Sequence, residues 1–167
     1  MGSGSSSSYS GGGSQPYAPD YYVVEEMMNR DKLDSDIYNP ISGYYKNNTA
    51  KELSNSIVYE HVEIGDKIPN GPITYVLDKN DNIIIGKRSN PANPSKRSPH
   101  PMLIGGKNPS VKCAGMIMFK NGKISSIDNQ SGHFRPNIKS MDGVYSALKK
   151  IYKKHPSIFT KDFEWRE

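Results

Sequence analysis

The chain has 167 residues, of which 34% are hydrophobic, and it carries a formal net charge of +5. This length suits one domain with an extended arm and excludes two full domains. The single cysteine, Cys113, excludes an intramolecular disulfide bond, and no stretch approaches the roughly 18 apolar residues of a membrane-spanning helix. We expect Cys113 to be a buried structural thiol, and the chain to work in a reducing compartment such as the cytoplasm.

The charge is divided unevenly between the two halves of the chain. Residues 1–85 hold 6 Lys and Arg against 12 Asp and Glu, whereas residues 86–167 hold 16 against 5. A basic half of this kind is typical of chains that contact an anionic partner. The pattern leaves open nucleic acid, an NAD-like phosphate or an acidic protein surface as that partner. A plain solvated basic face is equally compatible with it.

The first 20 residues are rich in Gly and Ser, with scattered Tyr and Pro. This composition has no core-forming pattern and predicts a flexible arm over residues 1–20. We divide the rest of the chain into a helical and loop region over 21–70, an α+β domain over 71–160 and a tail over 161–167.

The region 21–70 contains two candidate helices. Apolar residues at near-helical spacing predict a short amphipathic helix over 21–33. A second helix is predicted over 49–61, because Thr49 and Glu52 have the spacing of a capping box.

Two β-hairpins are predicted in the second half of the chain. Runs rich in β-forming residues at 73–77 and 83–86 flank a polar turn. A second pair of runs, 111–119 and 123–128, flanks an Asn-Gly dipeptide, which is a strong hairpin signal.

The segment 88–110 between the hairpins holds five prolines and four Lys or Arg, and loops of this length are usually functional or disordered. A last helix is predicted to open at Ser140 and to continue to about His155, because its apolar residues repeat at helical spacing. The order of elements predicts an α+β fold. We expect a small antiparallel sheet of two hairpins, packed with the N-terminal helices and one C-terminal helix, plus the extended arm.

Aromatic residues in polar segments and a basic cluster are the candidate interaction residues. Tyrosines bury a large area at low entropic cost, and lysines crowd the end of the last predicted helix. The candidates are Tyr9, Tyr17, Tyr21, Tyr44, Tyr45, Lys149, Lys150, Lys153, Lys154 and Trp165. Salt-sensitive contact with nucleic acid, without sequence preference, would use Lys87, Arg88, Lys96, Arg97 and the basic residues of 149–154.

The string SIDNQSGHFRP, residues 126–136, allows two interpretations. In the first it belongs to a reaction centre in which His133 converges with His100 as general acid or base, while Arg135 and Lys107 bind phosphate. The glycine pair Gly105-Gly106 would then let backbone amides approach the anion.

In the second interpretation the same string is scaffold. Gly132 supplies a positive φ at a strand exit, and Asn129 and Ser131 satisfy backbone groups of the loop. His133 makes buried hydrogen bonds and Phe134 packs in the core. Asp128 is then a turn or edge residue.

The stretch 100–136 resembles a C-terminal module of bacterial polymorphic toxins and of proteins from protists and large DNA viruses. The shared residues are His100, Ala114, Gly115, Asn121, Gly122, Ile124, Ile127, Asn129, Ser131, Gly132, His133 and Pro136. The module has Tyr where this chain has Phe134, and Glu after Ala-Gly where this chain has Met116. The toxin setting implies chemistry on NAD or RNA, and a methionine cannot replace Glu as a general base or a ribose ligand.

We therefore expect a non-catalytic structural component of a large assembly, most specifically a minor capsid protein in the virion of a large DNA virus. Its partners would be other protein subunits, met through the arm and the charged faces. The first alternative is a toxin-like enzyme, ADP-ribosyltransferase-like or a ribonuclease, that uses His100, Ser131, His133 and Arg135. The second is a basic nucleic-acid-binding module. No cofactor is expected, and no metal site, because the four histidines show no close pairing.

Overall fold

The computed structural model describes residues 20–24, 29–90 and 92–165. The predicted arm, with Tyr9 and Tyr17, lies outside the described residues, apart from its last residue. The strands are β1 (Tyr22–Val23), β2 (Tyr38–Asn39), β3 (Gly43–Tyr44), β4 (Lys51–Glu52), β5 (Ile57–Val58), β6 (His61–Val62), β7 (Gly71–Leu77), β8 (Ile83–Ile85), β9 (Ser110–Val111), β10 (Cys113–Lys120) and β11 (Lys123–Ile127). The α-helices are α1 (Asn29–Lys32) and α2 (Met141–Lys154).

An antiparallel sheet of five strands, in the order β11-β10-β7-β8-β4, organises the molecule. Both predicted hairpins are confirmed. The turn between β10 and β11 uses Asn121 and Gly122, both with positive φ as that turn requires. The Asp78 side chain accepts hydrogen bonds from the amides of Asn80 and Asn82, which closes the turn between β7 and β8.

One face of this sheet is covered by α2. Leu148 and Val144 of the helix pack against Tyr75 of β7 and Ile117 of β10, and all four side chains are fully buried. The predicted final helix is confirmed, although Ser140 at its start makes no capping bond with its side chain. A turn of 3₁₀ helix over Ile138–Ser140 precedes α2, so the helical segment is 17 residues long.

The chain after α2 returns to the same face. Phe159, Phe163 and Trp165 form a cluster of rings with Tyr145 and Tyr152, with centroids 4.7 to 6.4 Å apart. Trp165 therefore docks on the domain itself. No helix among the described residues is long and apolar enough to cross a membrane.

The other face of the sheet is covered mainly by irregular segments and short helical turns in the described part of the chain. Val76 of β7 and Ala114 of β10 point to this face and pack against Leu103 and Phe134. Tyr22 of β1 belongs to the same cluster, because β1 pairs with β9 next to the sheet. Farther along the same face, Thr74 and Met116 stand opposite each other on the two central strands.

The two predicted N-terminal helices are wrong. Over 49–61 the chain forms β4, a 3₁₀ turn and β5, and then enters β6. Thr49 does not cap a helix, because its hydroxyl donates to Asn47 and accepts the amide of Lys87. Glu52 is paired with Ile84 in the central sheet, so a contact distant in sequence overrides the local capping pattern.

The predicted helix over 21–33 also fails. Tyr22 and Val23 pair with Val111 and Ser110, which fixes an extended backbone at the start of this segment. Helical backbone is limited to the single turn α1, while residues 25–28 lie outside the described residues.

Candidate active site

A cavity of about 450 Å³ opens on the irregular face of the central sheet. Its floor is formed by Thr74 and Pro72 of β7 and by Met116 of β10. The segments that cross this face supply the walls, which are formed by Arg30, Arg88, Arg97, Ser98, Pro99, His100, Gln130, Gly132 and His133. Two other cavities in the described part of the chain, of about 310 and 500 Å³, contain no histidine or arginine in their lining. The cavity of about 450 Å³ is therefore the candidate site.

His100 begins a 3₁₀ turn, His100–Leu103, whose proline-rich start fixes the approach of the chain to the sheet. Its Nε2 lies 2.8 Å from the carbonyl oxygen of Gly115 in β10, so Nε2 carries the proton and donates it. Burial, with smaller contributions from the charges of His133, Arg97 and Arg88, lowers the pKa of His100 to about 4, although the hydrogen bond to Gly115 acts in the opposite direction. The ring is consequently neutral at pH 7, with Nδ1 unprotonated.

His133 forms a buried pair with a carboxylate. Its Nε2 lies 2.7 Å from Oδ2 of Asp31, and both side chains are less than a tenth exposed. The hydroxyl of Tyr44 also donates to Oδ2 of Asp31, at 3.0 Å. Burial, and then the neighbouring Asp31, raise the pKa of Tyr44, which stays a donor. Two donors therefore hold the carboxylate that orients His133.

Three arginines converge on the same cavity. Arg30 comes from α1, and Arg88 and Arg97 come from opposite ends of a loop that the Ser89–Arg97 bridge closes. The amide of Ser98 donates to the carbonyl of Arg88 at 2.6 Å, which holds the two ends together. None of the three arginines forms an ion pair with a carboxylate among residues 20–24, 29–90 and 92–165. Within the described part of the chain, these three positive charges are therefore not balanced by ion pairs.

The floor of the cavity is uncharged. Met116, which the resemblance aligns with the glutamate of the toxin module, lines the cavity. Thr74 is 6% exposed, and its hydroxyl has no hydrogen-bond partner among the described residues. No Asp or Glu of the described chain lines the cavity. Asp128 lies nearby, but one of its carboxylate oxygens accepts the amides of Met116 and Gln130, which is the turn role predicted for it.

Gly115 allows the strand and the loop after β11 to approach each other closely. A Cβ at this position would lie 2.0 Å from the carbonyl oxygen of Asp128. The same residue presents its own carbonyl to His100. Glycine at position 115 is thus required by packing between backbones, and its carbonyl also orients one histidine.

The motif string acts partly as site and partly as scaffold. His133 and Gly132 line the cavity, whereas Ser131 is buried and its hydroxyl accepts the amide of Phe134. The side chain of Asn129 donates to the carbonyl of Pro136, and Phe134 is buried in the core. These are the scaffold roles that the sequence predicts for Asn129, Ser131 and Phe134.

One prediction about this string is wrong. Gly132 does not have a positive φ, and the left-handed residue of the turn is Arg135, with φ 46°. Its amide donates to the carbonyl of Ser131, which tightens the turn. Arg135 does not line the cavity, and its expected place is filled by Arg30, Arg88 and Arg97.

The glycine pair does not form an anion site. Gly105 donates its amide to the carbonyl of Pro101, and Gly106 donates to the carbonyl of Tyr44. Both amides are therefore occupied by backbone acceptors. Lys107 is exposed and does not line the cavity.

The candidate interaction residues have different locations. Tyr44 is buried beside Asp31, whereas Tyr21 and Tyr45 are exposed by 46% and 42%. Lys149, Lys150, Lys153 and Lys154 are exposed on α2, so the sheet separates them from the cavity. The ammonium of Lys149 lies 4.9 Å from the ring centroid of Trp165.

Sequence reasoning identified part of this site. The enzyme interpretation requires His100 and His133 to converge, and both histidines line one cavity. Arg88 and Arg97 were named only as nucleic-acid contacts, along with Lys96, which instead bridges Asp34 and Asp36. Thr74, Arg30 and Asp31 were missed, because they belong to a strand and a predicted helix without any motif.

Among the described residues, no group of three or more His, Cys, Asp or Glu is arranged to hold a metal ion. Comparison with protein-family models, curated proteins and solved structures finds no match to this chain. The resemblance of residues 100–136 to the toxin module therefore stays a prediction.

Proposed function

We propose that the chain is a ribonuclease that cleaves RNA by transesterification, with His100 and His133 as its acid–base pair. The observation that carries this proposal is the shared cavity, which brings two histidines together with three arginines. None of the three arginines has an ion-pair partner among the described residues. Arginine binds phosphate bidentately and stabilises the charge of a phosphoryl transition state. The loss of the glutamate does not weaken this reaction, because the reaction uses histidines.

The two histidines are suited to different steps. His100 is neutral because burial lowers its pKa to about 4, and its Nε2 proton is donated to Gly115, so Nδ1 is the ring nitrogen that can accept a proton. We assign it as the general base that removes the proton of a ribose 2′-hydroxyl. A bound phosphate favours the protonated form of His100 and brings its pKa closer to the working pH.

His133 is assigned as the general acid. In its protonated form it makes an ion pair with Asp31 through Nε2 and can donate the Nδ1 proton. The 2′-oxygen attacks the adjacent phosphorus, a bond from phosphorus to the 2′-oxygen forms, and the bond to the 5′-oxygen breaks. His133 gives its proton to the leaving 5′-oxygen, which yields a 2′,3′-cyclic phosphate and a 5′-hydroxyl. The arginines balance the charge on the phosphoryl oxygens.

NAD chemistry is less well supported by the same residues. An ADP-ribosyl transfer of the kind implied by the toxin module relies on its glutamate, and here Met116 stands in that place. The absence of any carboxylate in the lining formed by the described residues favours RNA over NAD as the substrate.

The test is incubation of the full chain with a labelled single-stranded RNA in the presence of EDTA, followed by identification of the new ends. We expect a 2′,3′-cyclic phosphate, and no cleavage of DNA of the same sequence, which lacks the 2′-hydroxyl. His100→Gln and His133→Gln should each lower the rate by about 10²–10⁴-fold. His155→Gln, at the end of α2 on the opposite face, is the matched control and should keep the wild-type rate. Equal rates for all three variants, or cleavage of DNA, contradict the proposal.

A structural role in a large assembly, such as a virion, is our second proposal. It is supported by large apolar side chains that stand in solvent, since Leu33, Ile41 and Tyr59 are exposed by 83 to 90%. Sedimentation of the full chain alone and with the other proteins of a purified particle tests it. A monomer that never cosediments with them contradicts this role. An assembled protein that still cleaves RNA satisfies both proposals.

A further inference from the structure

The floor and the walls of the cavity differ in chemistry. The walls present arginines and histidines, whereas the floor presents Pro72, Thr74 and Met116. A phosphate alone would occupy the walls and leave the floor uncovered. A cavity of about 450 Å³ is within the range of about 300–1,000 Å³ that small-molecule sites have. The ligand that fits both parts has a charged group and a flat, largely apolar group joined to it.

Thr74 gives the floor an unmet polar group. It is 6% exposed, and its Oγ1 has no hydrogen-bond partner among the described residues. A hydroxyl can donate one hydrogen bond and accept two, and leaving it buried and unpaired destabilises the fold. A ligand with an edge of donors and acceptors would supply the missing partner.

Met116 is suited to cover a ring. It stands opposite Thr74 across β7 and β10, so the two side chains are neighbours on one face. A thioether adapts its shape and makes favourable contacts with aromatic rings. Thr74 and Met116 together can therefore meet the edge and the face of one planar heterocycle.

We infer that Thr74 and Met116 form a binding site for a single nucleobase, belonging to the nucleotide whose phosphate the three arginines hold. This inference rests on the proposed function and names its substrate class as unpaired RNA. A base in a duplex is stacked and paired, and cannot reach the floor of a cavity, whereas a base in a single strand can be splayed out.

Calorimetry on the full chain separates this base site from the phosphate site. The probes are the four nucleoside 5′-monophosphates and ribose 5-phosphate, which is the same ligand without the base. At least one nucleotide should bind about tenfold or more tightly than ribose 5-phosphate, the gain that base contacts give in other proteins.

Variants of the floor decide whether these two residues carry the preference. Thr74→Val removes the unpaired hydroxyl at nearly constant shape, so it should raise the melting temperature of the free protein. The same substitution should also weaken the binding of the nucleotide and leave the binding of ribose 5-phosphate unchanged. Met116→Ala should reduce the same preference, and Met118→Ala, two residues along β10 and outside the cavity, should not.

Each outcome bears on one site. Equal binding of nucleotides and ribose 5-phosphate overturns the base site and leaves the phosphate site standing. A base preference that survives in both Thr74→Val and Met116→Ala overturns the assignment to these residues. No binding of any probe, together with no cleavage of RNA, overturns the proposed function and this inference with it.

Discussion

The two faces of the central sheet are built in opposite ways. The face under α2 is closed by a helix whose apolar side chains, such as Leu148, repeat at helical spacing and are fully buried. The other face is closed by loops, and it buries Asp31, His100 and His133 together. Loops can place polar groups where backbone carbonyls and carboxylates satisfy them, whereas a packed helix offers few such partners. Regular packing therefore stabilises one face, and irregular packing gives the other face its buried polar and ionisable groups.

Asp31→Ala should have the largest effect on the free energy of unfolding. Removing the carboxylate leaves His133 and the Tyr44 hydroxyl buried without their common partner. We expect the free energy of unfolding to fall by about 3–5 kcal/mol. Lys112→Ala breaks the exposed pair with Asp81, and its effect on the free energy of unfolding should be much smaller. Urea denaturation of both variants measures the difference, and equal losses would show that burial does not set the strength of these pairs.

Leu148→Ala tests whether the two faces can be separated. Leu148 is 0% exposed in the core under α2, and its truncation should lower the free energy of unfolding by about 2–5 kcal/mol. RNA cleavage per folded molecule should stay within about twofold of wild type, because distant sites act almost independently. A large loss of cleavage in fully folded protein would show that the helix face is part of the site.

Acidification should lower the stability of the folded chain through protonation of His100 on the irregular face. The pKa of this ring is about 4 in the folded chain, below its ordinary value of 6.5, so the unfolded chain binds more protons between these values. The contribution of neutral His100 to the free energy of unfolding is fully present above about pH 6.5. It falls by about 3 kcal/mol as the pH drops to about 4. His100→Gln should lack this part of the loss. Denaturation at several pH values compares the two proteins, and identical pH profiles would contradict the assignment.

The smallest expected effect is on the salt dependence of RNA binding. It distinguishes a basic residue of the cavity from one on the exposed side of α2. Arg88→Gln removes a cation from the cavity and should lower the slope of log affinity against log salt for single-stranded RNA by about 1. Lys150→Gln removes a cation from the exposed side of α2 and should leave the slope unchanged. Binding titrations at several salt concentrations provide both slopes. Equal changes in the two variants would mean that RNA follows the whole basic half of the chain.

The sequence predicts the elements whose signals are local. Asn121 and Gly122 determine their hairpin by their own conformational preferences, and the spacing around Val144 and Leu148 determines α2. It does not predict β4, because the pairing of Glu52 with Ile84 joins segments about 30 residues apart, a contact that a local capping pattern cannot represent.

The residues of the candidate site also divide into those that the sequence indicates and those that only the folded chain reveals. His100 and His133 are recognisable because their residue type suits acid–base chemistry wherever they lie. Arg30 lines the cavity and Asp31 holds His133, both from a single helical turn with no motif, so only the folded chain shows their role. Arg135 has the chemistry that suits a phosphate site, but the residue type does not show its location, and the cavity lining contains Arg30, Arg88 and Arg97 instead.

Gly115 affects how relatives of this chain should be compared. Selection for a folded chain alone will retain glycine at this position, because a Cβ there would collide with the backbone at Asp128. Its retention in a relative therefore carries no information about activity. Arg97 is exposed and, among the described residues, lacks an ion pair, so folding places little constraint on its side chain. Retention of arginine at position 97 across divergent sequences would be the more informative sign that the site is under selection.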